Sequence, residues 1–425
     1  MRYTNLSQAI DFIKSIPVDQ VINHYIPGIK GHIKCPFPSH NEKSASFSVK
    51  AEIGIFSCFG CHQRGSNGLD FLMLYKEILF IDALEELCEI FGFELKTRPL
   101  NPQEEAEYQL KESLSIIIDQ AVKLSQEYLA ESTEALEYLK SRDIDQAMIL
   151  KYKIGYGGPG FKKKLMARGY SESQLIAAGV ISQKGGDYFF GRLIIPIKSK
   201  NGKYAALSGR QLKENTEYSK YLNGADTLLY NKSETLFNLN YAAAHMKSLN
   251  KVYIVEGYFD VIRHVMHEKL NTVATCGTAL TEEQANLLRK YTQRATIIFD
   301  GDKSGKKAVE RAIPILLKAG LLVDVAILSN NEDPDSFLQK YGKDAYKEEL
   351  KINSCSFVSF LINSKEYHQV NPIEQSTIIT EILELIPFIS EFNAALVITL
   401  IRELASLTGI ASEILTYDYS KLKNQ

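Results

Sequence analysis

Residues 295–308 read ATIIFDGDKSGKKA and carry the most informative local pattern in the chain. The apolar run ATIIF ends abruptly in the acidic turn DGD (300–302), and a stretch with helical periodicity follows. Three similar apolar runs occur nearby, at 252–257, 271–277 and 322–328, with helical stretches between them. Alternation of fully apolar strands with helices is typical of a parallel sheet covered on both faces. We therefore predict an α/β fold with such a sheet in the second half of the chain.

Carboxylates follow these apolar runs at the points where strands are expected to end. Glu256 follows the first run, Asp300 and Asp302 follow ATIIF, and Asp333 and Asp335 follow the last. Because functional groups of an open parallel sheet gather at the carboxyl ends of its strands, we expect the five acids to converge. Clustered carboxylates favour Mg²⁺ or Mn²⁺, which can neutralise phosphates and activate a hydroxyl. The alternative is that they are turn residues or helix caps, which is the preferred interpretation for the last two taken alone.

Three of the six cysteines lie close together, with histidines near them. The spacing Cys35-x4-His40, followed after 17 residues by Cys58-x2-Cys61, is typical of two knuckles that hold one tetrahedral Zn²⁺. The alternative is buried reduced cysteines with surface histidines. Two further histidines are rival candidates for the fourth ligand: His32 and His62. Short alternating segments at 46–49 and 53–58 predict a small β module whose folding the metal would support.

Length and composition describe an ordinary globular protein. The 425 residues predict two to four domains, and 49 basic against 51 acidic residues give a net charge of −2, which at first disfavours a nucleic-acid partner. No run of 18 apolar residues occurs, so we expect no membrane helix. Asp11 and Lys14 interrupt the N-terminal apolar stretch, so we expect no signal peptide and a cytoplasmic location.

The small net charge conceals two oppositely charged blocks. Residues 81–135 carry a local charge of −9, whereas residues 140–235 carry +9. Basic and aromatic residues alternate in the second block, as in grooves that bind single-stranded nucleic acid. The tyrosines concerned are Tyr204, Tyr218, Tyr221 and Tyr230. The alternative is a solvated basic surface over an aromatic core.

Helical periodicity occupies residues 68–92, 112–140 and 353–424. Between the first two stretches, TRPLNPQEEAEYQ (97–109) is polar and contains two prolines, which predicts an interdomain linker.

At this point the motifs resemble those of bacterial DnaG-type primases, in the same order along nearly the whole chain. CPFPSHNEKSASFSV and FSCFGC resemble the family's zinc ribbon, and FGRLIIPIKSKNGKYAALSGRQL, YSKYLNG and LYNKSETLFNL its basic subdomain. VEGYFDVI, ATCGTALT, IIFDGDKSGKKA and EDPDSFL are similar to the Toprim metal-binding fold. The resemblance implies an α/β multidomain protein with a zinc ribbon at 1–96, a linker at 97–112, a mixed α/β basic subdomain at 113–245, a Toprim-type parallel sheet flanked by helices at 246–350 and a short helical subdomain at 351–425.

The resemblance also implies roles for individual residues. The expected ligands of one structural Zn²⁺ are Cys35, His40, Cys58 and Cys61. The expected site for two or more Mg²⁺ or Mn²⁺ ions comprises Glu256, Asp300, Asp302, Asp333 and Asp335, of which the first three are the expected catalytic residues. The expected contacts to template or nucleotide are Arg142, Arg210, Lys220 and Lys232. The implied activity is synthesis of RNA primers on single-stranded DNA from ribonucleoside triphosphates. In addition, we expect the zinc module to read template sequence, with Lys43 and Lys50 exposed near Phe47 and Phe56.

Two features depart from the family pattern. Pro38 and Ser39 widen the first ligand pair from the usual Cys-x2-His to Cys-x4-His. The usual C-terminal helicase-binding domain has no counterpart in the sequence, so coupling to a replicative helicase is not expected, and a plasmid, phage or mobile-element setting is one hypothesis. The alternative functions are a Toprim nuclease or topoisomerase-like strand cleaver, and a non-catalytic DNA-binding protein derived from a primase.

Overall fold

The computed structural model describes residues 3–423 apart from 30, 39, 41, 43, 201, 214–218, 276, 278 and 391–393. The chain divides into two compact units. The first comprises Met1–Leu249 and His264–Thr272, and the second Asn250–Arg263 and Val273–Gln425.

The first unit begins with a module of four helices and a four-stranded antiparallel sheet. Its helices are α1 (Leu6–Ser15), α2 (Val18–Tyr25), α3 (Gly68–Lys76) and α4 (Phe80–Phe91). Its strands, in spatial order, are β1 (His32–Ile33), β2 (Phe47–Lys50), β3 (Ile55–Cys58) and β4 (Arg64–Gly65). A 3-10 turn, Ala51–Ile53, connects β2 to β3 and ends at Gly54, whose φ of 64° suits glycine.

This module has a larger core than its two short sequence motifs indicate. The rings of Phe37, Phe47, Phe56 and Phe71 are all at most 1% exposed, and their centroids lie 5.5–6.5 Å apart. Aromatic pairs at such separations add to the stability gained by burying their area. Both Phe47 and Phe56 therefore lie in the core, whereas Lys50, at the end of β2, is exposed as expected. Lys43 lies outside the described residues.

The predicted linker is mostly helix. Helix α5 (Pro102–Glu131) begins inside it and runs for 30 residues. Asn101 accepts a hydrogen bond from the Glu104 amide, and the Glu104 carboxylate accepts one from the Asn101 amide, which forms a capping box. Pro102 occupies the first helical turn, where its missing N–H costs nothing. The polar, proline-containing composition that predicts a linker here belongs to the exposed first turns of a long helix.

The rest of the first unit contains a second antiparallel sheet beside short helices. The helices are α6 (Thr133–Ser141), α7 (Gln146–Tyr152), α8 (Phe161–Ala167), α9 (Glu172–Ala177) and α10 (Leu239–Leu249). The strands are β5 (Gly155–Tyr156), β6 (Arg192–Lys198), β7 (Tyr204–Gln211) and β8 (Tyr221–Asn223), in that spatial order, followed in the chain by the short β9 (Leu236–Phe237). The sheet and α5 share a core that includes Ile118, Leu165 and Ile194.

Polar contacts join the N-terminal module to α10 of the same chain. The main-chain N–H of Arg64 donates to the Ser248 hydroxyl over 2.7 Å, and that hydroxyl donates to the Arg64 carbonyl over 2.7 Å. Lys247 forms an ion pair with Asp70 at 2.6 Å. Ala244 packs against the apolar core of the module. The module is therefore docked in cis in this structure.

The second unit contains the predicted parallel sheet. Its strands are β10 (Val252–Val255), β11 (Thr272–Thr275), β12 (Arg294–Ile298), β13 (Leu322–Ala326) and β14 (Ser354–Ser356), in the spatial order β14-β13-β12-β10-β11. The pairs β10–β12 and β12–β13 are parallel, which confirms the predicted sheet type. Strand β14 is an antiparallel edge strand that the sequence analysis missed.

Helices surround this sheet and complete the chain. The helices between strands are α11 (Tyr258–Met266), α12 (Glu282–Arg289), α13 (Lys303–Lys318) and α14 (Pro334–Asn353). The C-terminal helices are α15 (Phe357–Ser364), α16 (Pro372–Leu385), α17 (Pro387–Ser390), α18 (Ala394–Thr408) and α19 (Ser412–Lys423). Two further 3-10 turns are Ser329–Asn331 and Tyr367–Gln369. Within the described part of the chain, no helix combines the length and apolar character needed to cross a lipid bilayer.

Candidate metal and nucleic-acid sites

The structure brings together the four residues expected to bind zinc. Ligand atoms of Cys35, His40, Cys58 and Cys61 all lie within 4.8 Å of one another. The Cys35 and Cys61 sulfurs are 3.9 Å apart, and the Cys58 sulfur is 3.6 Å from His40 Nδ1. A tetrahedron with Zn–S bonds of about 2.3 Å has edges of about 3.8 Å, so these residues fit the ion.

The rival histidines lie outside this cluster. The ring of His32 packs against the exposed ring of Phe59 with a centroid distance of 5.9 Å. His62 has a φ of 61° and follows Cys61 in the turn. The structure therefore favours His40 over both as the fourth ligand.

Local structure explains how the two knuckles form. Cys58 ends β3, and its sulfur accepts a hydrogen bond from the Cys61 amide at 3.4 Å. This hydrogen bond closes the turn between the two cysteines, so that both sulfurs can face one ion. A Cβ on Gly60 would lie 2.5 Å from Cε1 of His40, so the turn needs glycine. The contact between the two sulfurs of Cys35 and Cys61 lowers the pKa of the Cys61 thiol and raises that of the Cys35 thiol, so it favours the thiolate at Cys61 alone.

The acidic site begins at two adjacent strand ends. Strands β10 and β12 pair in register with Val255 opposite Ile298, so Glu256 and Asp300 follow at the same edge. The main-chain N–H of Asp300 donates to Glu256 Oε1 over 3.0 Å. A Cβ on Gly305 would lie 2.1 Å from the Asp300 carbonyl oxygen, so glycine allows α13 to approach this edge.

Two of the acids also cap helices. Asp302 accepts a hydrogen bond from the Gly305 amide at 2.7 Å and begins α13, and Asp333 accepts one from the Ser336 amide at 2.6 Å and begins α14. Each cap uses one carboxylate oxygen, and an ionised carboxylate has lone pairs to spare. Capping and metal binding are therefore compatible at both positions.

Electrostatic interactions couple Glu256 to two of the other acids. Burial raises the pKa of Glu256 most, the hydrogen bond from the Asp300 amide lowers it, and the carboxylates of Asp302 and Asp333 raise it, so that the net shift is upward. Carboxylates that oppose each other's ionisation gain from a divalent cation between them. Their oxygen ligands are of the type that Mg²⁺ or Mn²⁺ favours. Among the described residues, however, no three of these carboxylates bring ligand atoms within 4.8 Å of one another, so the acidic site stays a prediction.

Asp335 has a different environment from the other four acids. It is 2% exposed, and its Oδ1 accepts a hydrogen bond from Arg263 Nε at 2.8 Å in a buried ion pair. Burying either charge alone would cost desolvation free energy, and the ion pair offsets that cost for both Arg263 and Asp335. This geometry favours a structural role for Asp335 over direct metal binding.

Sequence reasoning missed Asp260, which is buried beside these acids. Its Oδ2 accepts a hydrogen bond from the Gly257 amide at 2.8 Å, and its Oδ1 accepts one from the Asp335 amide at 3.2 Å. One carboxylate thus ties the turn after Glu256 to the start of α14. Burial raises its pKa well above the usual range, and nearby carboxylates add to the effect, Asp333 most. Its position four residues after Glu256, in the first turn of the helix that follows, was the available signal.

In the first unit, two of the predicted nucleic-acid contacts share one aromatic ring. The guanidinium carbons of Arg142 and Arg210 lie 5.5 Å and 5.8 Å from the centroid of the Tyr138 ring. Arg210 also lies 5.0 Å from the Tyr221 ring and donates to the Tyr221 hydroxyl. Cation–π contacts of this kind hold guanidinium groups in place. Tyr138, on α6, is a second residue that sequence reasoning missed.

The remaining basic and aromatic predictions have mixed outcomes. Lys220 is exposed just before β8, and the Lys232 amide donates to Asp226 at 2.9 Å. Tyr230 is 1% exposed, so its expected place in a stacking groove is wrong. Tyr218 lies outside the described residues.

Comparisons with known proteins identify the domains that carry these residues. Family models match as a CHC2 zinc finger at residues 5–102, as the N-terminal domain of the DNA primase catalytic core at 124–243 and as a Toprim-like domain at 253–338. The DNA primase of Aquifex aeolicus is 33% identical over 85% of this chain and 72% of its own length. The chain belongs to the DnaG family of bacterial DNA primases. DNA primases are nucleotidyltransferases that make RNA primers for replication, so the assignment makes this chain an enzyme of that class.

Other primases and their structures extend the comparison. The DNA primase of Clostridium acetobutylicum is 30% identical over 90% of this chain and 64% of its own length, and that of Legionella pneumophila 31% over 96% and 71%. A crystal structure of the zinc-binding and RNA polymerase domains of Aquifex aeolicus primase is 31% identical, covering 96% of this chain and 98% of that one with a TM-score of 0.61. A DnaG primase catalytic domain bound to single-stranded DNA is 28% identical, covering 72% of this chain and 99% of that one, with a TM-score of 0.63.

Proposed function

We propose that this chain synthesises short RNA primers on single-stranded DNA from ribonucleoside triphosphates, with the acidic site of the second unit as its catalytic centre. The observation that carries the proposal is the junction of Glu256 and Asp300 at adjacent strand ends of a Toprim-like sheet. A carboxylate pair held at such an edge suits nucleotidyl transfer, in which charge on phosphates must be neutralised.

Glu256, Asp300 and Asp302 are the proposed catalytic metal ligands, with Asp333 completing the set. When bound there, Mg²⁺ or Mn²⁺ would neutralise the triphosphate and favour attack of a 3′-hydroxyl on the α-phosphorus, with pyrophosphate leaving. The chain's own part is to hold these carboxylates in place. The Asp300 amide orients Glu256, the Gly305 amide orients Asp302, and the Ser336 amide orients Asp333.

Arg142, Lys220 and Lys232 are the proposed contacts to template or nucleotide. The partly exposed Arg142 is held against the Tyr138 ring, which directs a planar guanidinium group that can bind phosphate in a bidentate manner. Arg210, also expected as a contact, is only 4% exposed, which favours a role in holding the Tyr138 and Tyr221 rings over a direct contact. Lys220 adds an exposed positive charge. A relative's catalytic domain has been solved with single-stranded DNA, which supports this choice of template.

The N-terminal module would hold one structural Zn²⁺ and contact the template. Since Phe47 and Phe56 are buried, its surface candidates are instead Phe59, which is 60% exposed, and His32 beside it. Exposed rings on a rigid knuckle are suited to stacking with unpaired bases. Lys50, also exposed, remains a candidate for a phosphate contact.

A priming assay tests the proposal. The purified chain is incubated with single-stranded DNA of varied sequence, Mg²⁺ and the four ribonucleotides, and short RNA products are expected that disappear with EDTA. Products formed equally well without template would contradict it. Cleavage of labelled single-stranded DNA without nucleotides would instead indicate a Toprim nuclease.

One further proposal concerns the cell. We propose that the chain works in the bacterial cytoplasm or nucleoid, where its substrates are found.

A further inference from the structure

Glu42 lies among the zinc ligands although the ligand pattern does not include it. It follows His40 by two residues, and its side chain is only 10% exposed. A carboxylate beside three cysteines adds negative charge to a site that already holds thiolates. Its position therefore requires a reason other than charge balance.

The carboxylate of Glu42 contacts three parts of the cluster. Oε1 accepts hydrogen bonds from the main-chain N–H of the ligand Cys35 at 2.8 Å and from that of Ser46 at 3.2 Å. Oε2 accepts one from the Ser46 hydroxyl, whose oxygen lies 3.0 Å from the sulfur of the ligand Cys58. Oε2 also lies 3.8 Å from Nε2 of the ligand His40. A single side chain thus connects with the surroundings of three of the four ligands.

The orientation of the His40 ring accounts for the contact between Glu42 Oε2 and His40 Nε2. Nδ1 lies 3.6 Å from the Cys58 sulfur, so it is the nitrogen directed at the metal position, and Nε2 lies 3.8 Å from Glu42 Oε2, which is too long for a direct hydrogen bond. At this distance the carboxylate acts on the ring through its charge, which favours the tautomer with the proton on Nε2 and leaves Nδ1 to coordinate. Gly60 closes the other side, since a Cβ there would lie 2.8 Å from Glu42 Oε2.

We propose that Glu42 is a positioning residue of the zinc site, which orients His40 and anchors the loop that carries it. The four-residue spacing between Cys35 and His40 makes such an anchor useful, because a longer loop fixes its ligand less tightly. The main-chain N–H of His40 donates a hydrogen bond to the Phe37 carbonyl at 3.0 Å, which holds the backbone of this loop, and Glu42 holds the His40 side chain. The inference rests on the proposed zinc site.

Metal affinity provides the test, with no need for enzyme activity. The full-length wild type is compared with Glu42→Gln, which keeps the size and one acceptor oxygen but loses the charge. Glu52→Gln, on the exposed 3-10 turn of the same module, is the matched control. Zinc content is measured by metal analysis, and affinity by competition with a chromogenic chelator. We expect one zinc per chain in the wild type and the control, and an affinity about 10- to 100-fold lower in Glu42→Gln.

Cobalt substitution separates positioning from general destabilisation. The thiolate-to-cobalt charge-transfer band of Co²⁺-loaded Glu42→Gln should keep its intensity, whereas the d–d bands should shift because the histidine ring moves. Ser46→Ala, which removes one anchor of Glu42, should weaken zinc binding in the same direction, and its effect should be smaller when combined with Glu42→Gln. If Glu42→Gln matches the control in both zinc affinity and d–d bands, the proposed role of Glu42 is overturned, while the zinc site itself is not. A wild type without zinc would overturn the zinc site itself, and this inference with it.

Discussion

The main-chain N–H of Asp300 donates a hydrogen bond to the Glu256 carboxylate over 3.0 Å. These residues are 44 positions apart in the chain, yet they follow neighbouring strands of one sheet. Their contact orients the Glu256 side chain and lowers its pKa, but burial, the largest effect, and the carboxylates of Asp302 and Asp333 raise it, so that the net shift is upward. The site is thus arranged at a cost in stability, as is common at functional centres.

We predict that Glu256→Gln stabilises the metal-free protein and abolishes primer synthesis. Glutamine keeps an acceptor for the Asp300 amide but removes a charge that neighbouring acids oppose. The measurement is thermal unfolding in EDTA at neutral pH, together with the priming assay. Glu283→Gln, at an exposed position of α12, is the control and should change neither quantity. A lower melting temperature for Glu256→Gln than for the control would contradict the electrostatic argument.

Asp260 offers a test of positioning within the same site. Asp260→Ala leaves the buried amides of Gly257 and Asp335 without their acceptor, which we expect to cost about 1–3 kcal/mol of unfolding free energy. Asp260→Asn keeps one acceptor oxygen and should cost less. Chemical denaturation followed by circular dichroism gives both values. Equal stability of the alanine variant and the wild type would show that these hydrogen bonds are unimportant.

Tyr138 should support template binding without contacting the metal site. Replacing it by leucine removes the ring that Arg142 and Arg210 share, so their guanidinium groups become less well placed. We expect single-stranded DNA to bind about two- to fivefold more weakly, which corresponds to about 0.5–1 kcal/mol. Fluorescence anisotropy with a labelled oligonucleotide measures the change. Tyr108→Leu, on the exposed start of α5, serves as the control, and an equal loss there would count against the specific role of Tyr138.

Protonation of the buried His245 should account for part of the loss of folding stability in acid. His245 is 3% exposed on α10, and burial, with a smaller effect of Lys151, lowers its pKa to about 3. The unfolded chain therefore binds a proton that the folded chain does not as pH falls from about 6.5 towards 3, so stability is lost over that interval, by at most about 1.4 kcal/mol per pH unit. His245→Leu should make the unfolding free energy less dependent on pH in this range. Identical pH profiles for variant and wild type would refute the assignment.

Strong local patterns allowed the sheet and the carboxyl-end acids to be predicted from sequence. Strand β12 begins with the exposed Arg294 and continues with four buried residues, three of them apolar. An acidic turn follows it after Phe299, and few structures other than a buried parallel strand explain that pattern. Strand β14 was missed because SCS (354–356) has no apolar pattern and depends on its neighbour β13. The linker prediction failed because polar, proline-containing sequence is shared by linkers and by exposed helix starts.

The parts of the site that were missed depend on tertiary contacts. Asp260 lies in an amphipathic helix, and only the structure shows that its two oxygens join segments 75 residues apart. Tyr138 and Arg210 come together across 72 positions, which no local spacing reveals. Phe47 and Phe56 alternate with polar residues as expected for strands, but the pattern does not say which face is buried, since that depends on Phe37 and Phe71.

The most direct test of the central claim is primer synthesis by a variant that carries Asp300→Asn and Asp302→Asn. These changes keep the size of both side chains, and asparagine can still cap α13. RNA product formation and single-stranded DNA binding are measured on the same preparations in Mg²⁺. The account predicts that primer synthesis is abolished while template affinity stays within about twofold of the wild type. RNA primers made by the variant at a rate near that of the wild type would contradict it.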